Sequence, residues 1–233
     1  MPTMPFRNLP RRAPVVIGAL ALLALPGAAL AKDQDQPPRI EAALTVGSLG
    51  VGPELTWRPS RVIGARASAT WLGVNHTVGV NDIDYHGALK LASYGLMADL
   101  YPFRNGLRLS AGLRVNRNKV RLRATPTAPV SVGQLTFAPD QIGTLSGTVT
   151  TADLAPVFTL GYTTGKARGL NFAIDGGVML QGTPRMTDLT ANGTLAADPA
   201  FQAQLADEQT QVNARIDQYK VYPVLQVSVG YGF

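Results

Sequence analysis

The sequence predicts an all-β transmembrane antiparallel β-barrel of eight strands, with a short amphipathic helix in its last long loop. Three observations predict it. Apolar residues recur at every second position over seven long stretches, the period of a strand with one oily face. The opposite face of those stretches is mostly Gly, Ala and Ser, carrying isolated charges of both signs. The connections alternate between short turns and long polar loops, the plan of a barrel that crosses a membrane.

The chain opens on a segment that is not part of the fold. "MPTMPFRNLPRR" carries Arg7, Arg11 and Arg12 and no acid, "APVVIGALALLAL" is apolar, and "PGAALA" ends on small residues. This is the pattern of a secretory signal peptide, residues 1–31, cleaved after Ala31. Its apolar run falls short of the roughly 20 residues of a membrane-spanning helix. A polar leader, residues 32–38, follows, and the barrel is expected over 39–233. Removing the three arginines from 21 basic residues leaves 18 against 15 acids, a mature net charge near +3. Basic residues interleaved with aromatics are lacking, which argues against a nucleic-acid partner. With no cysteine, neither a disulfide framework nor thiolate chemistry is open to the chain.

The strands come in order. "EAALTVGSLGVGPELTW" sets Thr45, Gly47, Leu49, Val51, Pro53, Leu55 and Trp57 on one face. "VIGARASATWLGVN" sets Ile63, Ala65, Ala67, Ala69 and Trp71 against Gly64, Arg66, Ser68 and Thr70. "LKLASYGLMADLYPF" sets Tyr94, Leu96, Ala98 and Leu100 against Ser93, Gly95, Met97 and Asp99. In "LRLSAGLRVNRN", Leu107, Leu109, Ala111, Leu113 and Val115 oppose Arg108, Ser110, Gly112, Arg114 and Asn116. "LAPVFTLGY" and "LNFAIDGGVMLQ" follow, the second placing Asp175 opposite Phe172, Ile174 and Val178. "VYPVLQVSVGYGF" closes the chain with Val227, Val229, Tyr231 and Phe233 on one face. Each stretch meets the roughly 9–11 residues that a tilted strand needs.

Seven stretches are one short of the even number expected of single-chain barrels. The eighth comes either from a break of residues 39–57 at "GSLG" or from part of 128–150. Long polar loops are expected around 76–87, 123–152 and 182–218. In the last of them, Asp198 can cap a helix, Pro199 fits its first turn, and Phe201, Leu205, Val212 and Ile216 recur at helical spacing. That helix is expected to fold over the outer mouth.

The polar face distinguishes lipid from a soluble sandwich, whose apolar face turns inward. Glu54, Asp99 and Asp175 with Arg66, Arg108 and Arg114 read as a luminal charge network, three acids to three bases. An unpaired charge there costs several kcal/mol, so they are expected to pair. An eight-stranded interior is about filled by side chains, so the network reads as a plug, the alternative being a small gated pore for small solutes. Trp57, Tyr101, Phe103, Tyr162, Phe172, Tyr231 and Phe233 cluster near the short turns, as half of an interfacial girdle.

These residues carry a resemblance. The signal peptide, the glycine-rich "VGSLGVGPELTWRP", the "DIDYHGALKL" and "YPF" segments, "APVFTLGY" and the terminal "YGF" resemble small proteobacterial outer-membrane β-barrel proteins of the OmpA/OmpW-like kind. The resemblance implies an outer-membrane home. It also implies that Val227, Val229, Tyr231 and Phe233 form the signal read by the barrel-assembly machinery, a transient partner. It implies no activity, and no OmpA-type peptidoglycan-binding domain is expected after the barrel.

The remaining candidates lie near the outer rim. His76 and His86 flank "NHTVGVNDIDYHG", where His86 near Asp82 and Asp84 could act as an oriented general base of a lipid-modifying enzyme. No serine stands in that loop, and the expectation is no enzyme and no cofactor. Asp82 and Asp84 lack the full oxygen set of a calcium loop, so no metal is expected. Lys90, Lys119, Arg121 and Arg123 sit at the outer ends of adjacent strands, placed to meet lipopolysaccharide phosphates; a solvated rim is the plain alternative. Outer-membrane lipid is the constant neighbour, and the oligomeric state is not readable.

Overall fold

The computed structural model describes residues 39–80, 83–164 and 168–233. The signal peptide, the leader and Asp82 lie outside the described residues. The described chain contains β1 (Arg39–Gly47), β2 (Gly50–Arg58), β3 (Ile63–Val80), β4 (Ile83–Leu100), β5 (Leu107–Asn116) and β6 (Lys119–Pro126). There follow β7 (Val130–Val132), β8 (Leu135–Phe137), α1 (Pro139–Ile142), β9 (Leu145–Thr150), β10 (Leu154–Thr163), β11 (Gly169–Leu180), β12 (Arg185–Thr190), α2 (Pro199–Ile216) and β13 (Val221–Gly232).

Eight of these strands close a ring, every neighbouring pair antiparallel: β1–β2–β3–β4–β5–β10–β11–β13 and back to β1. Closure satisfies the backbone of every strand without leaving an edge in lipid, the condition for a strand protein to span a membrane. The eighth strand arises at "GSLG", where the chain reverses between Gly47 and Gly50. Gly50 takes φ +105°, a region that residues with a Cβ seldom adopt. This reversal corrects the first of the expected faces. Thr45 and Gly47 point into the lumen and Leu49 is buried, whereas Ile40, Leu44 and Val46 take the lipid side of β1.

The other expected faces hold. Leu96, Leu109, Leu113, Phe158, Phe172, Ile174, Leu225 and Val227 are exposed, while Arg66, Asp99, Arg108, Arg114 and Asp175 are buried. In water such an exposed belt would be far larger than a soluble protein tolerates. Against hydrocarbon it is the stable arrangement. Trp57, Phe103, Tyr162, Phe172, Tyr231 and Phe233 are all at least half exposed and ring the short-turn end, Tyr231 meeting Phe233 edge-on at 5.4 Å between centroids. Tyr101 is the exception. It is 1% exposed, turned inward, with the Arg58 guanidinium 3.5 Å from its ring centroid.

Beyond the membrane the barrel does not end in loops. β3 and β4 run 18 residues each, about twice the length needed to cross. β6 continues the line of β5 along β4: Ser93 faces Asn116 and Lys90 faces Lys119 in one unbroken register. β9 likewise continues β10 along that composite strand, with Val115 opposite Leu154 and Lys119 opposite Thr150. β12 adds to β9 through a bulge between Thr187 and Thr190. One side of the barrel wall therefore rises into the aqueous phase as a five-stranded sheet, β3–β4–β6–β9–β12. The expected loop at 76–87 is strand up to Val80 and again from Ile83. The expected loops at 123–152 and 182–218 contain β6, β7, β8, α1, β9, β12 and α2.

The helix is where the spacing put it. The Asp198 side chain accepts from the Phe201 backbone N–H at 2.9 Å, and Phe201, Leu205 and Val212 are buried. Its apolar face packs on β12 and β7. With Ala124, Val130, Val132, Ile142, Leu145, Met186 and Leu189 it forms a water-side core above the barrel.

Candidate functional site

The lumen is built in layers. In the ring of eight, β3 and β11 are four steps apart and so diametrically opposite. Arg66 on β3 nevertheless reaches Asp175 on β11, with Nη1 3.1 Å from Oδ2. The same guanidinium lies 3.0 Å from Asp99 Oδ2 and 3.5 Å from Glu54 Oε2, and it donates to Ser110 Oγ at 3.0 Å. Arg108 on β5 holds Asp175 from the side, donating from Nε to Oδ1 at 3.0 Å and from Nη2 to Oδ2. Ser110 also donates to Asp99. Three carboxylates and two guanidiniums thus close a bar across the channel axis. Alternation made this legible: every member occupies a position opposite an apolar one. Gly161 leaves the space, since a Cβ there would overlap Asp175 Oδ1.

Arg114 departs from the expectation. It makes no ion pair among the described residues; its guanidinium donates to Ser93 Oγ, Ser68 Oγ and Thr70 Oγ1 at 2.9–3.1 Å and to the Ser93 carbonyl at 3.4 Å. Three hydroxyls in place of a carboxylate satisfy the donors without cancelling the charge. The three-to-three count failed because Arg66 and Arg108 between them engage all three acids. Sequence reasoning also missed Glu41, which accepts from Asn171 Nδ2 at 3.1 Å, and Arg58, which stacks on Tyr101 toward the short-turn end.

Toward the long-loop end the lumen becomes apolar. Leu49, from the β1–β2 turn, packs with Met97, Ala155, Val157, Met179 and Val224, and Tyr222 Oη pins that turn by donating to the Ser48 carbonyl at 2.6 Å. Between the ionic bar and this apolar plug lies a cavity of about 20 Å³, bordered by Thr159 and Gln226, whose Oγ1 and Oε1 have no protein partner. That volume and polarity suit a single water.

The rim candidates are placed by the register. Lys90 pairs with Lys119, Ala88 with Arg121 and His86 with Arg123, so the four basic residues share one face of the outer sheet, and all are exposed. His76 pairs with Gly87 and His86 with Thr77, which puts the two histidines on opposite faces. His86 Nδ1 bonds Thr77 Oγ1 at 2.9 Å. Asp82, needed for both the dyad and the calcium reading, lies outside the described residues, as does the side chain of Asp84. Among the described residues no group of three metal-ligating side chains converges.

Comparison with known proteins adds a likeness of fold. No protein-family model matches the chain, and no curated protein does. Among solved structures, the chain is similar to CarO2 of Acinetobacter baumannii, with a TM-score of 0.59 and 20% identity over 85% of this chain and all of that one. It is similar also to CarO of Acinetobacter baumannii, with a TM-score of 0.54 and 21% identity over 87% of this chain and all of that one. A major outer membrane protein of Thermus thermophilus matches more distantly, with a TM-score of 0.45 and 12% identity over 85% and 100% of the two chains. The closed ring, the lipid-facing belt and the shared fold make this an outer-membrane β-barrel. The likeness supports an outer-membrane β-barrel, and not the OmpA/OmpW-like kind in particular.

Proposed function

We propose that this protein is a sealed, non-enzymatic barrel whose role in the cell envelope is structural or surface-binding and is exercised outside the membrane, through the outer sheet and its helix. The observation that carries the reading is the Arg66–Asp175 bridge across the diameter of the lumen, backed by the apolar plug above it. Buried pairs of this kind resist opening, because separating them strands charges in a low-dielectric interior. The elaborated part of the chain is instead the outer module, which buries its own core of Phe201, Leu205, Ile142 and Leu145. The terminal Val227, Val229, Tyr231 and Phe233 all face lipid and would serve as the assembly signal; deleting Phe233 should lower the inserted fraction in cells while refolding in detergent persists.

The test is conductance in planar bilayers. The native protein should be silent, and Arg66→Ala combined with Asp175→Ala should open discrete current steps. Steady conductance by the native protein, altered by charge reversal at Arg114, would instead establish the pore.

A further inference from the structure

We infer that the outward face of the outer sheet is a binding surface for the phosphorylated head group of lipopolysaccharide. The site is the basic column Lys119, Arg121 and Arg123 on β6, with Lys90 on β4 and Arg185 on β12.

The placement follows from the register. On β4, the positions that face lipid lower down are Leu100, Ala98, Leu96 and Tyr94; continuing by twos on the same face come Ala92, Lys90, Ala88 and His86. On the strand formed by β5 and β6, the lipid-facing Leu109, Ala111, Leu113 and Val115 are followed on the same face by Lys119, Arg121 and Arg123. The basic column therefore stands directly above an apolar column, with no change of side. Trp71 and Tyr94, at adjoining rows of the same face, mark the head-group level, where amphipathic rings settle. At about 3.4 Å per residue, the column from Lys119 to Arg123 covers ~14 Å of strand above that level. An acyl chain lying on Leu113 and Val115 thus puts its head group against Lys119 and Arg121.

Charge points the same way. Lys90 and Lys119 are direct cross-strand partners, and Thr150 links Lys119 to Arg185 in the next two strands of the same row. Like charges placed directly opposite destabilise a sheet. Among the described residues none of the five basic side chains has an ion pair, and each is exposed. Between them stand Thr148, Thr150 and Ser146, neutral hydroxyls that can share an anionic oxygen. The opposite face of the sheet is filled by the helix core, which fixes the strands and leaves this face free. Guanidiniums at Arg121, Arg123 and Arg185 suit phosphate oxygens held two at a time.

The inference rests on the placement of the barrel in the outer membrane but not on its sealed lumen, so conductance and head-group binding fail independently. The test uses the full mature chain in detergent, with bis-phosphorylated lipopolysaccharide, the same lipopolysaccharide dephosphorylated, and phosphatidylglycerol as probes, read by native mass spectrometry. The phosphorylated glycolipid should bind at least tenfold more tightly than either of the others. Lys119→Glu, Arg121→Glu and Arg123→Glu together should remove that preference, with heat-modifiable migration retained. The milder pair Lys119→Ala and Arg121→Ala should weaken it at least threefold and serves should the triple variant not fold. Lys220→Glu, a basic position at the outer end of β13 and off this face, should change nothing. Equal binding of the dephosphorylated form, equal binding of phosphatidylglycerol, an undisturbed preference in the variants, or an equal loss with Lys220→Glu would each overturn the assignment.

Discussion

Below Ala92, strand β4 turns Leu96, Ala98 and Leu100 outward and Ser93, Met97 and Asp99 inward; above it, the same strand turns Lys90 and His86 outward and the buried Leu91 inward. The hydrogen-bond register does not change at that point, so no rearrangement of backbone separates the two regions. What changes is the solvent. In hydrocarbon the outward face must be apolar, and the lumen can hold ions that satisfy one another. In water the outward face takes charge, and the inward face, capped by α2, becomes an ordinary core. One wall thus carries two opposite folding rules, with the crossover at the head-group level.

The sharpest way to break this comparison is to remove an ion from the barrel. Asp175→Ala deprives Arg108 of the carboxylate it holds through two bonds and takes one of three from Arg66. Stranding buried cations should cost about 3–5 kcal/mol. The expected result is a lower temperature for loss of the folded band in heat-modifiability gels, with the outer module unaffected until the barrel melts. An unchanged midpoint would show that the ionic bar adds no stability.

Phe201→Ala strikes the other region with the same force and the opposite consequence. Phe201 is buried against Phe137, centroids 4.9 Å apart, and truncating such a side chain costs about 3–5 kcal/mol. The loss should fall on the outer module alone: protease cleavage within 185–217 should appear while the heat-modifiable band stays. If the barrel midpoint drops equally, the two regions form one cooperative unit.

The two regions were not equally legible. Alternation disclosed the barrel because lipid demands an apolar residue at nearly every outward position, so Leu107 to Val115 and Val221 to Phe233 carry a strong period-two signal. The outer sheet answers to water on one face and a small core on the other. Its outward positions, such as Gly73, Asn75, Ala88 and Thr148, are free to be anything soluble, and the alternation fades into what reads as loop. The helix stood out because Asp198, Pro199 and the apolar spacing act locally. The luminal partners were legible as a set but not as pairs, since which acid meets which base depends on the stagger of strands around the ring. Arg114 illustrates this: its partners Ser93, Thr70 and Ser68 come from β3 and β4, and nothing local singles out these hydroxyls.

A paired substitution sharpens the crossover itself. Leu109→Arg places a charge on the lipid face of β5, well below the Tyr94 row, where the cost is about 2–4 kcal/mol near mid-membrane. Arg121→Leu, further along the same face, lies above the head-group level and should leave the folded band's midpoint within about 0.5 kcal/mol, as surface substitutions do. Urea titration in detergent micelles of the two variants, read by tryptophan emission, should separate them clearly. Equal effects would mean that the apolar belt extends past Tyr94 and that the crossover is misplaced.

The smallest expected effect tests whether the outer module is held by its core or by its local signals. Asp198 caps α2 through a single bond to the Phe201 N–H. Asp198→Ala should cost about 1 kcal/mol, the ordinary worth of an N-cap. Because Phe201, Leu205 and Val212 are anchored by packing, the helix should remain in place, with only its first turn exchanging amide hydrogens faster. Hydrogen exchange that accelerates across all of 199–216 would show instead that the cap nucleates the module, and that the water-side region is the more fragile of the two because it lacks the membrane's enforcement of its fold.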